Sequence, residues 1–223
     1  MEPIKKLVVG KNHLWFLREG AGAHGAEPLD VVDVEASLQD RFVFAAEKDD
    51  APGLRTPQLG ALHAVLAHRS MESSEPITIV MPTGTGKTET MLAAYAHHPA
   101  RTLVLVPSEA LRNQIAKKFT TLGVLPIVGA VTGDFKCPTV AVIKSSLTTT
   151  DDVDELVTRA NVVVATPQAL AGCDENARTR LADLCERLFI DEAHHVAART
   201  WRLVADLFTK KEVIQFTATP YRE

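Results

Sequence analysis

The sequence predicts an α/β fold, a three-layer parallel sheet with helices on both faces, preceded by a small N-terminal extension. Three observations carry this. From about Leu54 onward, short β-branched runs alternate with stretches of helical spacing, the pattern of successive βαβ units. Thr102-Leu103-Val104-Leu105-Val106 is apolar without alternation, as a parallel strand covered on both faces must be. Polar, glycine- and proline-bearing segments recur just after such runs, at the edge where open α/β sheets place ligands.

Length and composition bound the answer. A chain of 223 residues accommodates one large α/β domain over 51–223 with an extension over 1–50. A net charge of −4 means that any nucleic-acid surface has to be a local patch. Cys137, Cys173 and Cys185 lack metal-ligand spacing and read as reduced thiols of a cytoplasmic protein. No apolar run is long enough for a bilayer, and Met1 opens no signal-peptide pattern.

Taken in order, Lys5 to Val9 and His13 to Leu17 read as short strands, and Gly20 to Pro28 as a loop. Alternation in Val31 to Ala36 suggests another strand, and Phe42-Val43-Phe44 one more. Trp15 and Phe16, aromatics beside aliphatics, read as core rather than as a platform for stacked bases. Asp49 to Gly53 is a boundary. A helix then opens at Leu54-Arg55-Thr56-Pro57-Gln58, with Leu59, Leu62, Val65 and Leu66 on one face. Further strands are expected at Ile77 to Val80, Arg101 to Pro107, Pro126 to Val131, Val140 to Ile143, Asn161 to Pro167, Leu188 to Asp191 and Val213 to Phe216. Helices are expected over Glu89 to His97, from Ser108 to Leu122, over Val153 to Ala160, and around Leu181 and Trp201.

The chain is organised around Met81-Pro82-Thr83-Gly84-Thr85-Gly86-Lys87-Thr88, between an apolar strand and a helix. Glycines let backbone amides close around phosphate oxygens, and the following helix points its positive end at the same anion. Lys87 adds a charge for the β- and γ-phosphates of ATP, and the Thr88 hydroxyl can ligate Mg²⁺. Met81 stands where the usual phosphate-loop pattern has its first glycine. Gln58 carries an amide able to donate and accept at once, as the adenine edge demands. Asp191 and Glu192 end an apolar strand, and phosphoryl transfer needs one acid for the metal and a group to orient water. The adjacent His194 and His195 lack a third ligand for zinc.

With these motifs in order, the segment from Leu54 to Glu223 resembles the first RecA-like motor domain of a superfamily 2 helicase or translocase. MPTGTGKT looks like motif I, LVLVPSEALRNQ like motif Ia, IDEAHH like motif II and FTATPYRE like motif III. VTGD and ATPQAL are similar to the strand-contacting motifs, and RTPQ to the adenine-reading Q-type motif. The resemblance implies that Gln58 contacts adenine, that Pro82, Thr83, Gly84, Thr85, Gly86, Lys87 and Thr88 hold phosphates, and that Thr88 and Asp191 hold Mg²⁺. Lys87, Asp191 and Glu192 are then the catalytic set, and His194, Thr217 and Thr219 couple nucleotide state to the nucleic-acid surface. Pro107, Ser108, Arg112, Thr132, Gly133, Thr166, Pro167 and Gln168 would lie along one sugar–phosphate backbone, while Thr132-Gly133-Asp134 reads equally as an ordinary turn. IDEAHH combined with TATP looks more like the DNA-directed repair, restriction and phage-defence helicases than the RNA-directed groups. The resemblance also implies a second RecA-like domain in a longer protein, supplying an arginine finger. A P-loop switch that never tracks along a strand is the competing reading.

Overall fold

The apolar runs become neighbours in one sheet. The computed structural model describes residues 4–9, 13–18, 28–71, 73, 75–193 and 199–219. The first two strands are β1 (Ile4–Val9) and β2 (His13–Arg18); β3 (Ile77–Val80), β4 (Thr102–Leu105) and β5 (Val140–Val142) follow. The last three are β6 (Val162–Ala165), β7 (Arg187–Asp191) and β8 (Glu212–Thr217). Their spatial order is β1-β2-β5-β6-β4-β7-β8-β3. The six strands from β5 to β3 run parallel, so their C-terminal ends share one edge. β1 and β2 add to the far side as an antiparallel pair, making the sheet mixed rather than purely parallel.

Eight helices among the described residues cover the sheet. α1 (Val31–Leu38), α2 (Thr56–Ser70), α3 (Lys87–His97) and α4 (Glu109–Thr121) contribute to one core with Val104, Phe189 and Phe216. α5 (Thr150–Val157), α6 (Pro167–Ala171), α7 (Glu175–Leu184) and α8 (Arg199–Ala205) contribute to a second core with Leu103, Leu105, Leu188 and Ile190. Successive residues of a strand point to opposite faces, so β4 and β7 feed both cores in turn. This explains their unbroken apolar sequence. None of the described helices is long and apolar enough to cross a membrane.

Three expected strands are otherwise. Val31 to Ala36 is helical: Asp30 caps α1 by accepting from the Val32 amide at 2.9 Å, and Val31, Val34 and Leu38 are buried at helical spacing. Phe42 to Phe44 makes only an isolated bridge, Phe42 to Val131. Pro126 to Val131 is a run of turns, entered through the left-handed residues Leu122 (φ 55°) and Gly123 (φ 56°), and the Ala130 amide returns to the Leu125 carbonyl at 2.9 Å. The strand beside β6 is β5 instead. The expected strands at Lys5 to Val9 and His13 to Leu17 are present, and Phe16 is fully buried. Most of the expected loop from Gly20 to Pro28 lies outside the described residues.

Candidate active site

β3 delivers the chain to the C-terminal edge, where the Met81 amide donates to the Thr217 carbonyl at 2.9 Å and ties the loop to the end of β8. The Met81 side chain is buried in the core, a packing role no glycine could fill. Thr85 closes the turn, its amide and hydroxyl both donating to the Pro82 carbonyl at 3.2 and 2.6 Å. Pro82, Thr83 and Gly84 are exposed. Gly84 (φ 82°) and Gly86 (φ 95°) are left-handed, and a Cβ on Gly86 would also collide with the Gln58 amide nitrogen. Gly86 is the residue that caps α3, and no side chain caps the helix. Its first-turn amides are therefore available to an anion at its positive end.

β7 carries Asp191 to the same edge. Glu192 follows in a left-handed conformation (φ 58°), its amide donating to Asp191 Oδ1 at 3.1 Å. A non-glycine residue held there is strained, and such strain clusters at functional sites. The turn directs the Glu192 carboxylate into an ion pair with Lys87 Nζ. Burial pushes the Asp191 carboxyl above the usual carboxylate range, with Lys87 opposing and Glu192 reinforcing the shift. A magnesium-bound triphosphate fits these groups. Thr88 and Asp191 are hard oxygen donors, and Mg²⁺ binds through one or two such donors with phosphate oxygens and waters completing its shell. Among the described residues, no group of three or more His, Cys, Asp or Glu could hold a metal by itself.

Gln58 lies against the phosphate loop but is closed off. It is 4% exposed, and its Oε1 accepts from the Arg55 amide at 2.8 Å, capping α2. Its amide is thus engaged at the helix start and packed on Gly86, so an adenine contact requires it to turn. Arg55, absent from the expected set, is exposed and donates from Nη1 to the Gly84 carbonyl at 3.0 Å. Its signal was positional: a guanidinium immediately before the helix that abuts the loop.

The other strand ends supply the remaining expected residues. Ser108 is exposed and caps α4, accepting from the Leu111 amide at 3.4 Å; Pro107 is half-buried beside it. Thr166 caps α6 by accepting from Ala169 at 3.3 Å, with Pro167 buried and Gln168 exposed. Thr217 is buried, its hydroxyl donating to the Thr219 carbonyl at 3.0 Å and accepting from the Thr219 amide at 3.3 Å. His194 lies outside the described residues.

Two assignments need correction. Arg112 is 3% exposed, and its guanidinium donates to the Ile143 carbonyl at 3.0 Å, so it braces the end of β5 instead of facing a strand. Thr132 and Gly133 do not follow a strand at the ligand edge. The Thr132 amide donates to the Arg41 carbonyl at 3.1 Å, and Phe42, bridged to Val131, meets the ring of His97 at the opposite end of α3 from Lys87. The segment that does leave β5 at the ligand edge begins Lys144-Ser145-Ser146, exposed throughout. A short run ending in lysine and two serines was its signal, and the stronger-looking Pro126 to Val131 run hid it.

A phosphate loop, a following acid pair and a sheet between two helical layers define a RecA-like P-loop domain of superfamily 2 helicase type. Residues 52–222 match the family model described as "Type III restriction enzyme, res subunit", and the chain belongs to that family. Among solved structures, the Pyrococcus furiosus Hef helicase domain is similar at 22% identity and TM-score 0.50, covering 73% of this chain and 33% of its own. T4 UvsW is similar at 16% identity and TM-score 0.52, covering 81% and 32% respectively. These likenesses bear on the fold alone, and the chain spans about a third of those structures (33% and 32%). No curated protein matches it.

Proposed function

We propose that the chain is the ATP-binding part of a DNA-directed motor, coupling Mg²⁺-dependent ATP hydrolysis to movement on nucleic acid in repair, restriction or phage defence. The observation that carries this reading is the Lys87–Glu192 ion pair beside Asp191 at the mouth of a glycine-walled loop. An acid holding the loop lysine gives way when phosphate oxygens take its place, and Glu192 can then orient water. Gly84, Gly86 and the α3 amides cradle phosphate. Thr88 and Asp191 hold Mg²⁺, which when bound offsets negative charge developing on the transferred phosphoryl group. Thr217, whose carbonyl accepts from the Met81 amide of the phosphate loop, relays nucleotide state towards the exposed strand ends in this reading. Ser108, Thr166 and Gln168 form the nucleic-acid track, with Lys144 and Ser145 replacing Thr132 and Gly133.

A second RecA-like domain completes the site in this reading, and an arginine finger is worth roughly 10³–10⁵ in rate. Without that domain, residues 1–223 are expected to bind nucleotide weakly and turn it over slowly. Lys87→Ala abolishes Mg-ATP binding in calorimetry while leaving the unfolding midpoint within a few degrees of wild type. Unchanged affinity overturns the site. Comparing single-stranded DNA, duplex DNA and RNA as stimulators of the ATPase, with the second domain present, separates a DNA motor from an RNA helicase and from a switch that responds to none.

A further inference from the structure

We propose that His13, on the N-terminal hairpin, positions the loop after β5 as part of the nucleic-acid track. The proposal rests on the function proposed above and gives the extension a role within it. His13 is 5% exposed, and its Nδ1 accepts from the Lys144 amide at 3.2 Å. β2 pairs with β5 through Leu14 and Val142, so His13 stands where β5 gives way to Lys144-Ser145-Ser146. Trp15, two residues on and therefore on the same face, donates from its indole to the Leu156 carbonyl at 2.8 Å. β2 thus grips both the contact loop and α5. A cavity of about 20 Å³ lies between them, lined by His13, Ser146, Thr148, Asp152 and Glu155. The Lys144 and Ser145 side chains remain exposed beyond it.

The acceptor exists only while His13 is neutral, because protonation places a hydrogen on Nδ1. Burial keeps His13 below its ordinary range; Asp152 on α5 opposes this, and Arg112 on α4 and Lys144 itself add to it. Glu155, lining the same cavity, is the remaining charged neighbour. On acidification, protonation releases the loop and affinity for a nucleic-acid strand falls. A surface that merely gained positive charge would instead bind a polyanion more tightly, so the sign is diagnostic.

The test uses the 223-residue chain and a fluorescent single-stranded DNA at low salt. His13→Leu removes the acceptor, and His13→Asn offers an oxygen close to the Nδ1 position. The expected result is roughly tenfold faster amide exchange at Lys144 and severalfold weaker binding for His13→Leu, with His13→Asn restoring both and abolishing the pH dependence. Wild-type affinity in His13→Leu, or no restoration by His13→Asn, overturns the positioning role. Lys144→Ala and Ser108→Ala separate the two failures. If both leave affinity unchanged, or wild type does not bind, the track itself is refuted; if both weaken it while His13→Leu does not, only the latch is.

Discussion

Glu212→Ala is expected to destabilise the fold strongly from the sheet's N-terminal edge. Glu212 opens β8 and serves two guanidiniums at once: Oε1 accepts from Arg69 Nε at 2.5 Å, and Oε2 pairs with Arg187 Nε. The Arg187 side chain is 3% exposed and that of Arg69 17%, so neither can recover its hydration in place. Burial pushes the Arg187 guanidinium down to about 10. Burial alone would raise the Glu212 carboxyl, but the two arginines outweigh it and hold the group below its usual range. Removing one partner of such a buried set costs about 3–5 kcal/mol, because charge is left without compensation. At about 2–4 °C per kcal/mol for a chain of this size, the midpoint falls by roughly 6–20 °C. The depressed carboxyl sets the sign with pH. Its stabilisation is full above the ordinary carboxylate range and is lost as pH falls through the lower folded value, so wild type and variant converge in acid. Thermal unfolding followed by circular dichroism from neutral pH downward measures both effects. Mg-ATP affinity stays as in wild type below the variant's midpoint, since the phosphate loop meets β8 at its other end, Thr217. A neutral-pH shift under about 6 °C, the smallest fall this mechanism allows, or a gap that fails to narrow in acid, refutes the reasoning.

The remaining predictions concern the ligand edge. Gly86→Ala forces a side chain into a left-handed conformation and against Gln58, costing about 1–2 kcal/mol of stability; calorimetry should find Mg-ATP binding lost, and wild-type affinity would count against the cradle. Asp191→Asn removes a buried carboxylate whose range is raised, so without ligand it should unfold at a higher temperature than wild type near neutral pH while losing magnesium-dependent nucleotide affinity. A lower midpoint would mean that the folded state draws on the Asp191 charge for its stability, contrary to the raised range. Affinity for single-stranded DNA should fall with salt at a log–log slope of about −0.7 per phosphate contacted, and Lys144→Ala should make that slope shallower by about one contact. A salt-independent affinity would remove the case for a phosphate track.

The parts of the fold legible in the sequence were those where local pattern and tertiary context agree. β4, β6 and β7 are buried on both faces and read as apolar runs, and the phosphate loop announced itself through glycines that the backbone requires. Legibility failed where two signals competed. Val31 to Ala36 alternates like a strand, yet Asp30 caps it and the spacing of Val31, Val34 and Leu38 also suits a helix; packing against the sheet decided the matter. Pro126 to Val131 resembles a strand because Ile127, Val128, Ala130 and Val131 are apolar, but Ile127 is exposed in a turn while Ala130 and Val131 are buried. Thr132 and Gly133 entered the track through the resemblance of VTGD to a strand-contacting motif, although Thr132-Gly133-Asp134 reads equally as an ordinary turn. Arg112 failed differently: nothing in a sequence says whether a helix-start arginine faces solvent or reaches a neighbouring carbonyl.

The two edges of the sheet use similar residue types to opposite ends. At the N-terminal edge cations are consumed: Arg101 donates to the carbonyls of Ala160, Thr158 and Leu184, and Lys211 to those of Ala182, Asp183 and Cys185. Such groups satisfy the orphan carbonyls of loops and helix ends, and they leave little for a ligand. At the C-terminal edge the accounting is left open. Lys87 holds a single strained acid, α3 begins without a side-chain cap, and Lys144, Ser145 and Gln168 face solvent. A sequence that satisfied this second edge as fully as the first would give a more stable sheet, and it would give up the uncapped amides and ionised groups that a triphosphate and a phosphate backbone need.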